Sequence, residues 1–261
     1  MQNFTSSDFS SYAPGERETR VDLAACYRLV DHFGMTDLVS NHISARVPQR
    51  HGEILINAFG MMYEEITASS LIKVDLAGNV LHNPHADYTV NLAGYMIHSA
   101  VHEARPDVGC VIHTHTVAGI AIASLECGLL PVSQSAMRFA DVAYHDFEGV
   151  AFEAGEKERL ARDLGHRDVM ILRNHGLLAC GATIAEAFNN IYRLERACQI
   201  QAAAMACNSP IVKIPADLVR KTGAQYAANP VSMDRKPSPL GLTEWPAMLR
   251  LLDRRDPSYR A

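Results

Sequence analysis

"CVIHTHTVAGIA", residues 110–121, sets His113 and His115 one residue apart inside an apolar run. Side chains alternate across a strand, so positions i and i+2 share a face and the two imidazoles lie side by side. Two neutral imidazoles on one face suit a divalent metal; the alternative is a pair of polar groups at a strand end, satisfied by backbone or water. A metal site needs a third ligand, and "ILRNHGLLACG" supplies a candidate. His175 stands between two apolar runs, after Asn174 and before Gly176, so it falls in a strand-to-strand turn at a sheet end. Gly176 permits close approach of another group to the backbone there. If that turn lies at the sheet end that carries His113 and His115, three imidazoles converge. Three protein ligands with an open fourth position is the catalytic arrangement for zinc.

The elements that must position these residues follow from periodicity. Apolar residues at helical spacing predict a helix from Glu16 to Phe33, ended near Gly34. "HISARV" and "EILINAF" read as strands, and "LIKVDLAGNVLH" as two strands joined by a Gly/Asn turn. Residues 88–104 read as a helix, "VGCVIHTHT" as a strand, and "VAGIAIASLECG" as a helix that stops at Gly128. "DVAYHDF", a helical "EKERLARDLG" and the strands "DVMILR" and "HGLLACG" follow. Thr183 and Glu186 form a capping-box pattern ahead of a helix over 184–207. The expected organisation is a loose N-terminal arm (1–15), one α/β domain (16–208) and a C-terminal extension (209–261). That extension is polar and Pro-rich around "NPVSMDRKPSP", then carries a helix with Trp245, Met248, Leu249 and Leu252 in one stripe. The stripe should pack on its own domain or on a neighbouring subunit, and in either case could cover the mouth of the metal pocket.

A chain of 261 residues with 48% hydrophobic and 20% charged residues is an ordinary soluble globular composition. The formal net charge of −5 argues against a nucleic-acid or membrane-surface partner. No apolar run approaches the roughly 18 residues that span a bilayer. The N-terminal segment lacks the basic and apolar regions of a secretory signal. Six cysteines without C-x-x-C pairing, spread through apolar segments, read as reduced core thiols of a cytoplasmic protein.

"GMTDLVSNHISARV", "INAFGMMYEEITASSLIKVD", "HEARPDVGCVIHTHT", "ECGLLPVS", "VAYHDFEG" and "LRNHGLLACGATIAEAF" resemble the class II aldolase/adducin family over nearly all of residues 16–208. The resemblance implies an α/β fold: a three-layer α/β/α sandwich with a central mixed, largely antiparallel sheet. It also implies a zinc ion on His113, His115 and His175, with Mn2+ or Fe2+ as alternatives, a small-molecule substrate and a homo-oligomer, commonly a tetramer. The segment "PVSQSAMRFADVAYHDFEG" is expected near a subunit boundary.

The sequence departs from the aldolases of that family where they act on sugar phosphates. Their acid/base Glu aligns with Gly94, their phosphate-binding Ser-Ser pair with Leu92 and Ala93, and their Thr-Gly with Phe59-Gly60. A neighbour's tyrosine aligns near Ser135, and of the family's substrate-binding positions Asn41 and Gly60 remain. Phosphate needs several convergent donors or a cation, so a non-phosphorylated oxo- or hydroxy-acid is expected. Loss of the base fits decarboxylation better than aldol cleavage, because departure of CO₂ forms an enolate without proton abstraction. His98, one helical turn after Gly94, and Tyr144 and His145 are the replacement acid/base candidates. Two other readings stand beside this metal-dependent lyase. One is an adducin-head-like binding or scaffold protein that keeps the metal site without turnover; the other is a non-haem iron oxygenase, since three histidines also hold iron.

Overall fold

The computed structural model describes residues 12–149, 155–228 and 241–261. Most of the expected N-terminal arm (1–11) and the Pro-rich stretch 229–239 lie outside the described residues. Eight strands form one sheet: β1 (His42–Arg46), β2 (Glu53–Ile56), β3 (Ile72–Asp75), β4 (Val80–His82), β5 (Cys110–Thr114), β6 (Ala143–His145), β7 (Val169–Leu172) and β8 (Gly176–Gly181). Their order is β4-β3-β2-β1-β5-β8-β7-β6. Every neighbouring pair is antiparallel except β6 and β7, which run parallel. The sheet is therefore mixed and largely antiparallel, as the resemblance implies.

Alternation along β5 divides the core. Cys110 and Ile112 face a cluster with Leu23 and Tyr27 of α1 (Glu16–His32) and with Ile191 and Leu194 of α6 (Ile184–Ala206). Val111 faces the other way, among Ile97 and Val101 of α2 (Leu92–Ala104) and Leu160 and Leu164 of α5 (Glu156–Leu164). Helices on both faces make three layers, and His113 lies on the α2/α5 side because it shares parity with Val111. Burying each such aliphatic side chain contributes roughly 1.5–3 kcal/mol, which both faces supply.

Caps decide the helix boundaries. Thr183 Oγ accepts from Glu186 N at 3.2 Å while the Glu186 carboxylate accepts from Thr183 N at 2.9 Å, so α6 starts where the capping box predicts. α2 starts at Leu92 rather than residue 88, because the Asn91 side chain accepts from Ala93 N and Gly94 N and Thr89 pairs with Phe59 as an extended bridge. α3 (Val117–Ala123) stops short of Gly128. Carbonyls at and just beyond its end go instead to the turn after β7: Asn174 N donates to Ala123 O and Arg173 Nη1 to Leu125 O. Two short-range features were not anticipated: α4 (Gln134–Met137) and α7 (Ala216–Ala228), the latter with no buried residue. Cys26, Cys110, Cys180 and Cys198 are buried thiols, but Cys127 and Cys207 are exposed because they sit in the turn after α3 and at the end of α6. No helix among the described residues is long and apolar enough to cross a membrane.

The C-terminal stripe folds back on its own domain. In α8 (Trp245–Arg255), Trp245 and Leu252 are buried and Met248 and Leu249 are half-buried against the α1 cluster. Trp245 Nε1 donates to Asp22 Oδ1 at 3.2 Å. A 3₁₀ turn, Pro257–Arg260, then inserts Tyr259, fully buried, whose Oη donates to Asp253 at 2.8 Å. Ala68 N and Ser69 N donate to the Tyr259 and Ala261 carbonyls, each at 2.9 Å, so the backbone closes the contact. None of these contacts reaches His113, His115 or His175, so they do not form a cover for that site. Replacing Tyr259 with Ala should lower the free energy of unfolding in urea by about 3–5 kcal/mol without changing the sedimentation mass. A loss below about 1 kcal/mol, the range of exposed sites, would show that the segment is a loose appendage.

Candidate metal centre

The three histidines meet. His113 Nε2 lies 2.8 Å from His115 Nε2, which lies 3.0 Å from His175 Nε2. One ring nitrogen from each falls within 4.8 Å of the others. The end of β5 supplies the first two, and the turn between β7 and β8 supplies the third. The ladder that joins them sets Thr114 opposite Leu177 and His113 opposite Leu178. Asn174 holds that turn with φ of 56°, a left-handed conformation that Asn adopts more readily than most residues. A Cβ on Gly176 would stand 2.3 Å from the Thr114 carbonyl oxygen, so the close approach expected at this glycine is the backbone of β5.

Second contacts fix which nitrogens face inward. His113 Nδ1 donates to Leu177 O at 2.9 Å, and His115 Nδ1 to the Asp37 carboxylate at 3.2 Å. These tautomers, assigned from the hydrogen-bond network, leave an unprotonated Nε2 on each ring. Two nitrogen lone pairs facing each other repel unless a cation or proton lies between them. A soft-to-borderline divalent ion satisfies that donor set, and a carboxylate behind a ligating imidazole is the usual orienting group. Burial and the neighbouring rings hold His113 well below its ordinary pKa, and burial with His115 pushes His175 down to about 4. Both are neutral, and so able to ligate, at pH 7.

The remaining site candidates are placed differently from one another. Asn41 is fully buried; its Oδ1 accepts from Asp37 N at 2.6 Å and so braces the carboxylate that orients His115. Gly60 lies against Tyr88 rather than against the three histidines, and its φ of 108° is one a glycine adopts freely. Tyr144 is committed elsewhere, with Leu129 N donating to its Oη at 2.9 Å and the Arg173 guanidinium stacked 4.2 Å from its ring. His98 is fully buried and bonds Ser44 Oγ through Nδ1 at 2.7 Å. His145 is the candidate that borders the centre. Its Nδ1 pairs with Asp163 at 2.8 Å, its Nε2 has no partner among the described residues, and it shares a cavity of about 10 Å³ with His175 and Arg173. Asp37 and Asp163 carried no signal in the sequence, because neither belongs to a local motif with the histidines, whereas Arg173 stands two residues before His175 in the same turn stretch and was passed over.

His42 is the residue that sequence reasoning missed. It lies opposite His113 on the neighbouring strand, and a Cβ on Gly94 would stand 2.2 Å from its Nδ1. The imidazole occupies the space that a side chain at 94 would need. Among the described residues neither of its ring nitrogens has a partner, and both are closed to solvent. With His98, Ser44 and His102 it forms a buried polar row between β1 and α2, in which Ser44 Oγ bridges His98 and His102 at 2.7 and 2.9 Å.

Residues 21–202 match the family described as Class II Aldolase and Adducin N-terminal domain. The chain belongs to that family. It is 49% identical over 246 residues to a Pseudomonas aeruginosa protein whose name places it, provisionally, among the class 2 aldolases; the match covers 94% of this chain and 93% of that one. It is 40% identical over 263 residues to mouse alpha-adducin, covering 97% of this chain but 35% of the adducin. Among solved structures, L-fuculose 1-phosphate aldolase from Glaciozyma antarctica superposes with a TM-score of 0.80 at 26% identity, covering 100% of this chain and 97% of the aldolase. The proteins it is similar to thus include an aldolase and an adducin, and the three-histidine group is what the described residues offer a metal.

Two measurements test the packing described here. Gly94→Ala should destabilise the protein by about 1–3 kcal/mol through overpacking, despite the better helix propensity of Ala, and adding His42→Ala should recover part of it in a double-mutant cycle. A neutral Gly94→Ala would show that the ring does not fill that space. Burial and the neighbouring His115 push His42 down to about 4, burial and Arg46 push His102 down to about 3, and burial with its two neighbours holds His98 well below the ordinary value. These folded-state values lie below the unfolded ~6.5, so only the unfolded chain takes up protons as pH falls. The stability of the metal-free protein should therefore drop below pH ~6.5, at up to ~4 kcal/mol per pH unit. Urea unfolding at pH 7.5 and 5 measures it, and a flat profile would mean these rings protonate in the folded state.

Proposed function

We propose that this protein is a metal-dependent carbon–carbon lyase acting on a non-phosphorylated oxo- or hydroxy-acid, with decarboxylation favoured over aldol cleavage. The convergence of three Nε2 atoms, two of them fixed as acceptors by bonds at Nδ1, carries this reading. A divalent ion on His113, His115 and His175, Zn2+ by its preference for nitrogen ligands with Mn2+ or Fe2+ as alternatives, supplies Lewis-acid stabilisation of charge developing on an enolate oxygen.

The chain's own residues account for the rest. Leu92 and Phe59 are exposed apolar side chains where a phosphate would need donors. Arg173 borders one cavity with His145 and His175 and has no carboxylate partner among the described residues, so the guanidinium N–H groups beyond the one given to Leu125 O are open to a substrate carboxylate. Glu148, which borders the same cavity, is ion-paired to Arg159. When CO₂ leaves, the electrons of the broken carbon–carbon bond stay on the enolate, and one proton must return to carbon. In this reading His145 Nε2, which has no partner among the described residues and borders one cavity with His175, delivers it, directly or through the single water that a cavity of about 10 Å³ admits. Asp163 accepts from Nδ1 and offsets the charge of the imidazolium. Burial raises the pKa of that carboxyl, but bonds from His145 and Arg162 outweigh burial and hold it below its ordinary value. Assembly into a homo-oligomer, a tetramer as the family resemblance implies, belongs to the same reading.

A second reading, a binding protein of the adducin-head type without turnover, is favoured by His42. Its ring fills the space beside Gly94, and its nitrogens are sealed from solvent. Metal content separates the first requirement from the second. His175→Ala should lose at least tenfold of its bound metal with its circular dichroism unchanged, and retention of stoichiometric metal would remove His175 as a ligand. In the metal-loaded protein, a screen of 2-oxo and aromatic hydroxy acids should show CO₂ release, with KM raised about tenfold by Arg173→Gln. Full metal with no turnover across the screen favours the binding protein. Efficient cleavage of fuculose phosphate would overturn the substrate class.

A further inference from the structure

At the other end of the sheet from the histidines, Arg138 follows α4 and lines a cavity of about 240 Å³ with Arg167, His166 and Tyr226. Val169, which begins β7, belongs to its wall, whereas His175 follows the end of that strand. Four residues of strand span about 13 Å, so the two sites are separate. The Arg138 guanidinium is half-buried and donates only to neutral groups, Asn189 Oδ1 and Asn190 Oδ1, each at 2.6 Å. Two carboxylates also border the cavity, and each already has a cation: Asp141 pairs with Arg167 at 2.9 Å and Asp168 with Arg105 at 3.4 Å. Arg138 is left without an ion pair among the described residues. Burial and the nearby Arg193 push its pKa down to about 10, against smaller opposing effects of Glu244, Tyr226 and Asp168. A cation withdrawn from water and held only by carboxamides is electrostatically incomplete.

We propose that this cavity binds a small oxyanion, a carboxylate or a phosphate, on Arg138, with α7 closing over it. The planar guanidinium keeps N–H groups beyond the two given to Asn189 and Asn190, and a forked pair of donors is what either anion accepts. A volume of about 240 Å³ admits inorganic phosphate or a small organic acid. The closing element is built to respond. α7 has no buried residue, and it meets the domain through Gly223, where a Cβ would stand 3.3 Å from the Met137 carbonyl oxygen, and through Tyr226 at the cavity wall. The Tyr226 hydroxyl has no hydrogen-bond partner among the described residues, so an anion on Arg138 gives it an acceptor and ties α7 to α4 and α6.

Calorimetry on the full chain, with inorganic phosphate and separately with acetate and succinate at constant ionic strength, tests this. At least one anion should bind saturably, and the comparison identifies whether phosphate or carboxylate is preferred. Arg138→Gln should weaken that affinity at least tenfold while metal binding at His175 is unchanged. Hydrogen exchange of the wild-type protein gives an independent check, because amides of 216–228 should slow on adding the bound anion. No saturable binding of any of these anions, equal binding by a folded Arg138→Gln, or exchange in 216–228 indifferent to the anion would each overturn the proposal.

Discussion

The register between β5 and β8 is the constraint on which the candidate site depends. Thr114 opposite Leu177 brings the end of one strand beside the turn that begins the other, and Gly176 is the residue that lets the two backbones touch. A slip of one residue would invert both faces of β5, sending His113 into the apolar α1/α6 layer and Ile112 towards α2. The same hairpin returns to its surroundings through Arg173 and Asn174, which satisfy carbonyls at the end of α3. The turn that carries His175 is thereby tied down at its tip, where loops are ordinarily loose.

Position 94 shows what the fold gives up near that site. α2 places Gly94, His98 and His102 on one face, against His42 and Ser44 of β1, where an amphipathic helix would ordinarily pack aliphatic side chains. Ile97 and Val101 hold the helix through the α2/α5 cluster instead. The polar row is satisfied only in part, since among the described residues His42 has no partner and His98 leaves its Nε2 unpaired. Neutral imidazoles tolerate this better than carboxylates would, because they carry no charge to desolvate.

What could be read from residues alone was whatever depends on local period. The i, i+2 pair at 113 and 115, the turn around His175 and the capping box at Thr183 all belong to that class, and all lie where expected in the structure. The start of α2 was misplaced because a side-chain cap at Asn91 overrides the apolar pattern before it. The orienting groups were not legible. Asp37 approaches His115 from a loop 78 positions away and Asp163 approaches His145 from a helix 18 positions away, and neither spacing is a motif. His42 was hidden for a different reason: a histidine at the head of a strand is common, and only the missing side chain at Gly94 reveals that the ring has somewhere to go.

The fit of His42 against Gly94 makes the two positions a coupled pair. An ideal side chain at 94 collides with this imidazole, so one of the two must give way whenever the other grows. Enlarging position 94 first crowds the ring between β1 and α2, whereas shrinking position 42 first leaves a void in the same place. The same double variant is thus reached through two intermediates of opposite character, one overfilled and one hollow.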